Sequence, residues 1–252
     1  MRNCPPEIAE IVAETGLGEV VERYRLTVAM ELSFAVTCGV LGGFGLLFGD
    51  DVGRAIGAGA AGLGVLFAVP AWRKSRRHLY LCTRGLLTTT GTTTVTRLLR
   101  WDEVAHVRVW VTRIYQLGPA EEFPRCVLEL TDGTTLNLAR PPYAGVGRLA
   151  EAVERAVAEV TYPRRTREIT ETGSSAFGPI TVSKLGVRDG RRFVAWSDVA
   201  RVERGRVRLR IWNRAGEQVV SRQVRTIPDL ACLLRIAATT RGGPANPVKA
   251  LP

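Results

Sequence analysis

The residues of this 252-residue chain whose types could do chemistry are two histidines, a few acidic residues near tryptophans, and many arginines. His78 follows the basic run Arg73, Lys74, Arg76 and Arg77, and His106 lies in the alternating stretch "VAHVRVWV". Neither has a companion at the spacing of a metal site or a catalytic triad. Asp102 and Glu103 follow Trp101, and Asp198 follows Trp196; one acidic position per tryptophan, at a turn, predicts local hydrogen bonding rather than paired acid–base work. The glycine stretches "GGFG" and "GAGAAGLG" sit inside apolar runs, which is the wrong context for a phosphate loop. Cysteines 4, 38, 82, 126 and 232 are scattered without a C-x-x-C and read as reduced, mostly buried small hydrophobes. The expectation is a protein that is no enzyme, with no cofactor and no metal.

Binding has more support. In "ARVERGRVRLRIW" the period of two places Arg206, Arg208 and Arg210 on one strand face and Val207, Leu209 and Ile211 on the other. Arg188, Arg191 and Arg192 surround the Asp189-Gly190 turn. A row of guanidinium groups can meet anionic headgroups, at about 1 kcal/mol per basic residue near the surface. The same residues also read as a solvated polar face, rich in arginine through GC-rich coding. Residues 73–252 hold 31 Lys and Arg against 16 Asp and Glu, while residues 1–72 hold 4 against 8. The basic charge, which sets the pI near 10.2, therefore belongs to the C-terminal part. Nucleic acid is not an expected partner, because Trp212 alone supplies an aromatic among these arginines.

What holds these residues is set by hydropathy. Leu32–Gly49 and Ala55–Trp72 are each 18 residues without a charge, separated by "DDVGR". With Thr27–Met30 added to the first and Arg54 snorkelling from the second, each reaches the roughly 20 residues that span a hydrocarbon core. A transmembrane helical hairpin is predicted over residues 27–72. Gly39/Gly43, Ala58/Gly62 and Ala60/Gly64 are small-x-x-x-small steps that would let the helices approach, or equally plain Ala/Gly filler. Arg23 and Arg25 precede the first run and the Arg73–Arg77 cluster follows the second, whereas the loop carries two aspartates; the positive-inside bias puts both termini in the cytoplasm.

From His78 on, short strands with turn punctuation replace the apolar runs. "CVLELTDGTTLNL" is a hairpin around Asp132-Gly133, and Leu149, Val153, Ala156, Val157 and Val160 mark a helical face. A second pass runs through Asp189-Gly190, Arg204-Gly205 and Ala215-Gly216 to the stripe Leu230, Leu233, Leu234 and Ala237. Trp101-Asp102-Glu103-Val104-Ala105-His106-Val107 aligns with Trp196-Ser197-Asp198-Val199-Ala200-Arg201-Val202. The module is thus written twice, and each tryptophan is expected in the core, at the beginning of a buried strand and under the closing helix.

The order of hairpin, "LYLCTRGLL", "RWDEVAHV", "VLELTDGTTLNL", helix, then "FGPITVSKLGV", "VAWSDVARV" and "IPDLACLL" resembles a family of uncharacterised actinobacterial membrane proteins with bacterial PH-like modules. The resemblance implies an α+β membrane protein: an N-terminal transmembrane α-hairpin followed by two PH-like antiparallel β modules, each closed by a C-terminal helix. It brings no activity with it. The expected organisation is an N-terminal cytoplasmic segment (1–26), the hairpin (27–72), PH-like module 1 (73–161), a linker (162–175), PH-like module 2 (176–241) and a disordered tail (242–252). The N-terminal stretch "PPEIAEIVAETGLGEVVERY" is expected to form a short acidic amphipathic helix with Ile8, Ile11 and Val12 on one side. The expected location is the cell membrane, with two spans. The expected role is a protein-interaction scaffold, with anionic-lipid binding as the alternative. Expected partners are membrane lipids, a membrane or cytoplasmic protein, or further copies of the chain.

Overall fold

The computed structural model describes residues 4–91, 94–114, 121–140 and 143–240, so the tail expected over 242–252 lies outside the described residues. The chain is α+β, with two apolar helices in its N-terminal part and four antiparallel sheets. It divides into two compact units, Met1–Leu99 with Pro141–Ala144, and Arg100–Arg140 with Gly145–Pro252.

The first unit is built on α1 (Pro6–Glu14), β1 (Val20–Arg25), α2 (Ala29–Phe48), α3 (Asp51–Ser75), β2 (Arg77–Cys82), β3 (Gly85–Thr90) and β4 (Thr94–Arg100). The strands form one sheet in the order β1-β2-β3-β4. Of the stretch expected as one amphipathic helix, only Pro6–Glu14 is helical, and Ile8 and Val12 of α1 are buried against Tyr80, Cys82 and Leu87. The segment after it is a strand, with Arg23 opposite Tyr80 and Arg25 opposite His78. The two apolar helices are therefore spliced into the β1–β2 connection of a sheet, with only a few residues between helix and strand at either side.

Helices α2 and α3 are 20 and 25 residues long and apolar enough to cross a membrane. Their large side chains point outward; Leu47 is 75% exposed and Leu66 70%. The contact between them is made by glycine, but not by the steps the spacing suggested. A Cβ at Gly42 would stand 2.6 Å from the Ala61 nitrogen, and one at Gly57 would stand 2.8 Å from the Leu46 nitrogen. Around Gly39, Gly43 and Gly62 a Cβ would meet nothing within 4 Å. Of the expected small residues, Gly64 faces the other helix, where a Cβ would stand 3.2 Å from the Ala35 carbonyl oxygen. A hairpin turn fixes the rotation of both helices, and this selects the Gly42, Gly45, Gly57 and Gly64 stripe. Asp50 caps α3 by accepting the Gly53 N–H at 2.8 Å, and Lys74 Nζ lies 2.7 Å from Glu31 Oε1, which gives that carboxylate a counter-ion at the end of the apolar run.

The second unit contains β5 (Val104–Ile114), β6 (Glu121–Leu130), β7 (Thr135–Asn137) and α4 (Val146–Thr172). A four-stranded sheet follows, β8 (Ser174–Phe177), β9 (Ile180–Ser183), β10 (Gly186–Asp189) and β11 (Arg192–Ala195). A three-stranded sheet comes next, β12 (Val199–Arg204), β13 (Arg208–Asn213) and β14 (Gln218–Gln223), then α5 (Leu230–Thr240). The order of four-stranded sheet, tryptophan turn, three-stranded sheet and helix thus occurs twice along the chain. The repetition reaches details. Val104/His106 and Val199/Arg201 carry a bulge at the same place. The Glu103 carbonyl accepts the Thr131 N–H at 2.9 Å, and its counterpart Asp198 accepts that of Arg214 at 2.9 Å. Both tryptophans are buried, on short 3-10 turns rather than on the strands themselves. Trp196 packs in one core with Leu230 and Leu233 of α5, and the Trp101 turn lies against α4.

Of the residues expected as a linker, 162–172 form the last part of α4 and Ser174 and Ser175 begin β8. Thr161 and Ile169 are buried, Tyr162 packs on the second-copy core, and Arg235 of α5 pairs with Glu159 at 2.8 Å. This packing outweighs Pro163, whose ring deletes one helical hydrogen bond. Gly173, at φ +85, ends the helix where a side chain would strain.

Candidate functional site

Strand β13 alternates as its sequence suggests: Arg208 and Arg210 are exposed, and Leu209 and Ile211 are buried. Arg206 and Val207 stand on the turn before it, and Val207 is exposed instead of joining the apolar face. With Arg113 of β5 these residues line a cleft of about 470 Å3. A smaller cleft of about 230 Å3 shares Arg206 and Val207 and is completed by Trp110, Val111, Thr112, Gln223 and Arg225. Glu122 Oε1 serves two of the guanidiniums at once, Arg113 at 2.8 Å and Arg206 at 2.7 Å. Desolvation raises its carboxyl, but the hydrogen bonds and charges of those arginines outweigh it and hold the group below its ordinary range. Arg208 donates to Ser221 Oγ at 2.9 Å and Arg225 to Gln223 Oε1 at 2.7 Å. The cleft is a cationic wall with forked donors already oriented, which is the chemistry that receives carboxylates or phosphates.

The other expected arginines are elsewhere. Arg188, Arg191 and Arg192 belong to the β10–β11 hairpin of the four-stranded sheet, and the Arg188 guanidinium stands over the Phe193 ring at 6.0 Å. Leu185, 77% exposed, and Phe193, 46% exposed, lie in the same hairpin region. Arg222 takes the Asp189 carboxylate at 2.8 Å, so that turn is anchored to β14. In the first unit, Arg73 and Lys74 end α3, Arg76 lies 4.0 Å over the Trp72 ring, and Arg77 opens β2.

Sequence reading missed the constellation around Asp229, whose partners lie far from it in sequence, Arg165 in one helix and His106 and Val107 in a strand. The Asp229 carboxylate is buried and accepts from Val107 N–H at 2.9 Å, from the His106 Nδ1 side at 2.8 Å and from Arg165 Nη2 at 3.2 Å. Burial raises its pKa, but the bonds from His106, Val107 and Arg165 overcome that and leave the carboxyl below its usual range. A second buried pair, Arg204 with Glu154 at 2.7 Å, also ties β12 to α4; there burial prevails and the Glu154 carboxyl is raised. Asp229 is fully occupied by these donors, so it positions rather than reacts. Burial pushes the Cys82 and Cys232 thiols up to about 12, which suits small hydrophobes and not nucleophiles. Among the described residues no three His, Cys, Asp or Glu side chains gather as metal ligands.

His78 carries a pH prediction. Its Nε2 accepts from Arg23 Nη2 at 2.9 Å, and burial with the charges of Arg23 and Arg25 lowers its pKa to about 4. An unfolded histidine titrates near 6.5. The unfolded chain therefore binds the proton first on acidification, so the first unit keeps full stability above pH 6.5 and loses it as pH falls from there to 4. The loss is at most about 3 kcal/mol, less what solvent screens. NMR should place the His78 titration near 4, and His78→Gln should flatten the stability slope between 6.5 and 4. A His78 titration near 6.5 would refute the prediction.

Comparison with curated proteins and with solved structures yields no match. A model of a family of unknown function, DUF6585, matches residues 7–244, nearly the whole chain from α1 to beyond α5, and the protein belongs to that family.

Proposed function

We propose that this protein is an integral membrane protein that holds tandem PH-like modules at the cytoplasmic face as a scaffold for a partner protein. The observation that carries the reading is the splice of α2–α3 into a β-sheet connection. Two helices with outward apolar surfaces enter and leave the sheet beside Arg23, Arg25, Arg73, Lys74, Arg76 and Arg77, and Asp50 and Asp51 mark the far end. A bilayer accounts for the outward leucines and phenylalanines, and the charge asymmetry favours cytoplasmic termini. The order of four strands, three strands and a helix, met twice, supports the PH-like reading of the modules. The buried pairs Asp229–Arg165 and Glu154–Arg204 tie the second copy to α4, and the exposed arginine cleft gives this unit a surface to offer.

Reporter fusions test the anchoring. A reporter at Asp51 should be active only outside the cell and one at the C-terminus only inside, and the protein should resist alkaline extraction. Release by alkali, or the opposite reporter pattern, overturns it. Crosslinking in native membranes should trap a protein partner, and a chain that always migrates alone would oppose the scaffold. A lipid reading is favoured by one local feature, the exposed Leu185 and Phe193 beside Arg188, Arg191 and Arg192. If it holds, flotation with anionic vesicles should fall when Leu185 and Phe193 become Ser.

A further inference from the structure

The smaller arginine cleft borders the edge of β5, which the turn Val224–Thr226 packs against without bonding all of its outward backbone groups. Strand β5 is the outer strand of β5-β6-β7. Val107 turns both of its backbone groups away from β6: its N–H donates to Asp229 Oδ1 at 2.9 Å, and its carbonyl accepts the Asp229 N–H at 2.8 Å. Along an antiparallel ladder, residues alternate between bonding the neighbouring strand and facing away from it. The register from His106 opposite Glu129 to Ile114 opposite Glu121 is unbroken. Val109 and Val111 therefore direct their N–H and C=O groups the same way as Val107. Among the described residues no hydrogen bond reaches those groups from that side. Nearer the start of the strand the edge is closed, by Asp229 at Val107 and by Arg164 Nη2, which donates to the Ala105 carbonyl at 3.0 Å. At Val111 it is the wall of the cleft, facing Arg206, Val207 and Arg225.

Proteins blunt exposed sheet edges, because unpaired donors and acceptors in strand spacing are a template for another strand. Here the first half of β5 is blunted and the second half is left facing guanidiniums. We propose that this edge receives an extended acidic segment of a partner protein, which adds as a strand beside Val111. Its backbone would pair with Val111, its carboxylates would meet Arg206, Arg208 and Arg225, and an apolar side chain between them would lie on Val207 and Trp110. This deepens the scaffold reading and rests on it. A lipid headgroup could satisfy the arginines but has no alternating N–H and C=O groups to match the strand, so the backbone geometry favours a peptide.

The test uses the full chain in neutral-lipid nanodiscs and a fluorescein-labelled peptide of about ten residues alternating Glu and Val, a length typical of strands, read by anisotropy. Binding is expected, with a loss of about tenfold or more for a Lys–Val peptide. The same Glu–Val peptide, N-methylated at alternate residues to keep its charge and remove its ladder donors, should also bind about tenfold more weakly. Val111→Pro should match that loss, since proline on a free edge removes the outward N–H without touching the β5–β6 ladder. Arg206→Ser with Arg208→Ser should weaken binding and reduce its salt dependence. The proposal fails if the parent peptide does not bind at about 1 mM, the weak limit of specific recognition, or if the N-methylated peptide binds equally well. It also fails if anionic nanodiscs abolish peptide binding while Arg206→Ser and Arg208→Ser lose affinity for anionic vesicles, because the cleft then belongs to headgroups. Failure of the peptide leaves the reporter and crosslinking results standing, so this idea and the membrane scaffold fall separately.

Discussion

Asp229→Ala is expected to lower the stability of the second unit by about 3–5 kcal/mol, because removing one member of a buried charged network leaves the others uncompensated. Asp229 is 2% exposed, and without it Arg165 Nη2 loses its buried acceptor and the Val107 N–H loses the carboxylate that receives it on the outer side of β5. Its backbone, at φ 52, adds a smaller cost, since alanine tolerates the left-handed region poorly. Asp229→Gly separates the two: glycine accepts that φ freely, so a similar loss in Asp229→Gly places the energy in the carboxylate. Asp229→Asn should fall between, keeping an acceptor for Val107 while leaving the Arg165 charge less well matched. Thermal unfolding of the full chain in detergent, followed by circular dichroism, should show a drop of roughly 10 °C for alanine. A change below about 1 kcal/mol would show that the network is ornamental. The sign with pH also distinguishes it from His78. Because the Asp229 carboxyl is held below its usual range, its stabilisation is present above about pH 4, the unfolded value, and is lost only as pH falls through its lower folded value. The His78 contribution fades between 6.5 and 4, so mild acid should loosen the first unit while the Asp229 network still holds the second.

How far the sequence reveals this molecule depends on how far apart the cooperating residues are. The apolar helices, the Asp132-Gly133 hairpin and the alternation of Arg208 to Ile211 are local patterns, and each is where its pattern puts it; the doubled tryptophan motif recurs as read, but on a 3-10 turn before the strand rather than on the strand. Strand β1 is not legible because it is six residues long and its partner β2 lies beyond both apolar helices, so neither period nor turn announces the pairing. The end of α4 reads as a linker because Pro163, "RRT" and "ETGSS" are locally poor helix material; the helix persists through Thr161, Tyr162 and Ile169, whose burial only the folded chain supplies. At the candidate cleft, the sequence identifies Arg206, Arg208 and Arg210 but not Arg113, Trp110 or Arg225, which arrive from β5 and from the turn before α5. It also separates Arg188, Arg191 and Arg192 from them only in sequence number, whereas the fold assigns the two groups to different sheets. His106 looked companionless because its partner is Asp229, and no spacing rule links residues 106 and 229.

Gly42→Ile and Gly43→Ile should differ sharply although they are neighbours in one helix. Both trade glycine for the same β-branched residue, so the intrinsic helix-propensity change is shared and cancels in the comparison. At Gly42 even a Cβ would come within 2.6 Å of the Ala61 nitrogen and 2.9 Å of its Cα, both rigid backbone of the facing helix, whereas at Gly43 it would meet nothing within 4 Å. Overpacking at backbone contact separates the helices, and a cost of about 3 kcal/mol is expected for Gly42→Ile against less than about 0.5 for Gly43→Ile. Detergent unfolding midpoints and the yield in the membrane fraction measure it. The strain should also travel: α2 starts at Ala29, close behind β1, and α3 ends at Ser75, next to β2, so parting the helices pulls on the pairing of Arg25 with His78. Backbone hydrogen exchange at the Arg25–His78 end of β1 and β2 should quicken in Gly42→Ile and not in Gly43→Ile. Equal behaviour of the two variants would mean that the helices do not meet along the Gly42 stripe, and the direct mechanical link from the hairpin to the sheet would go with it.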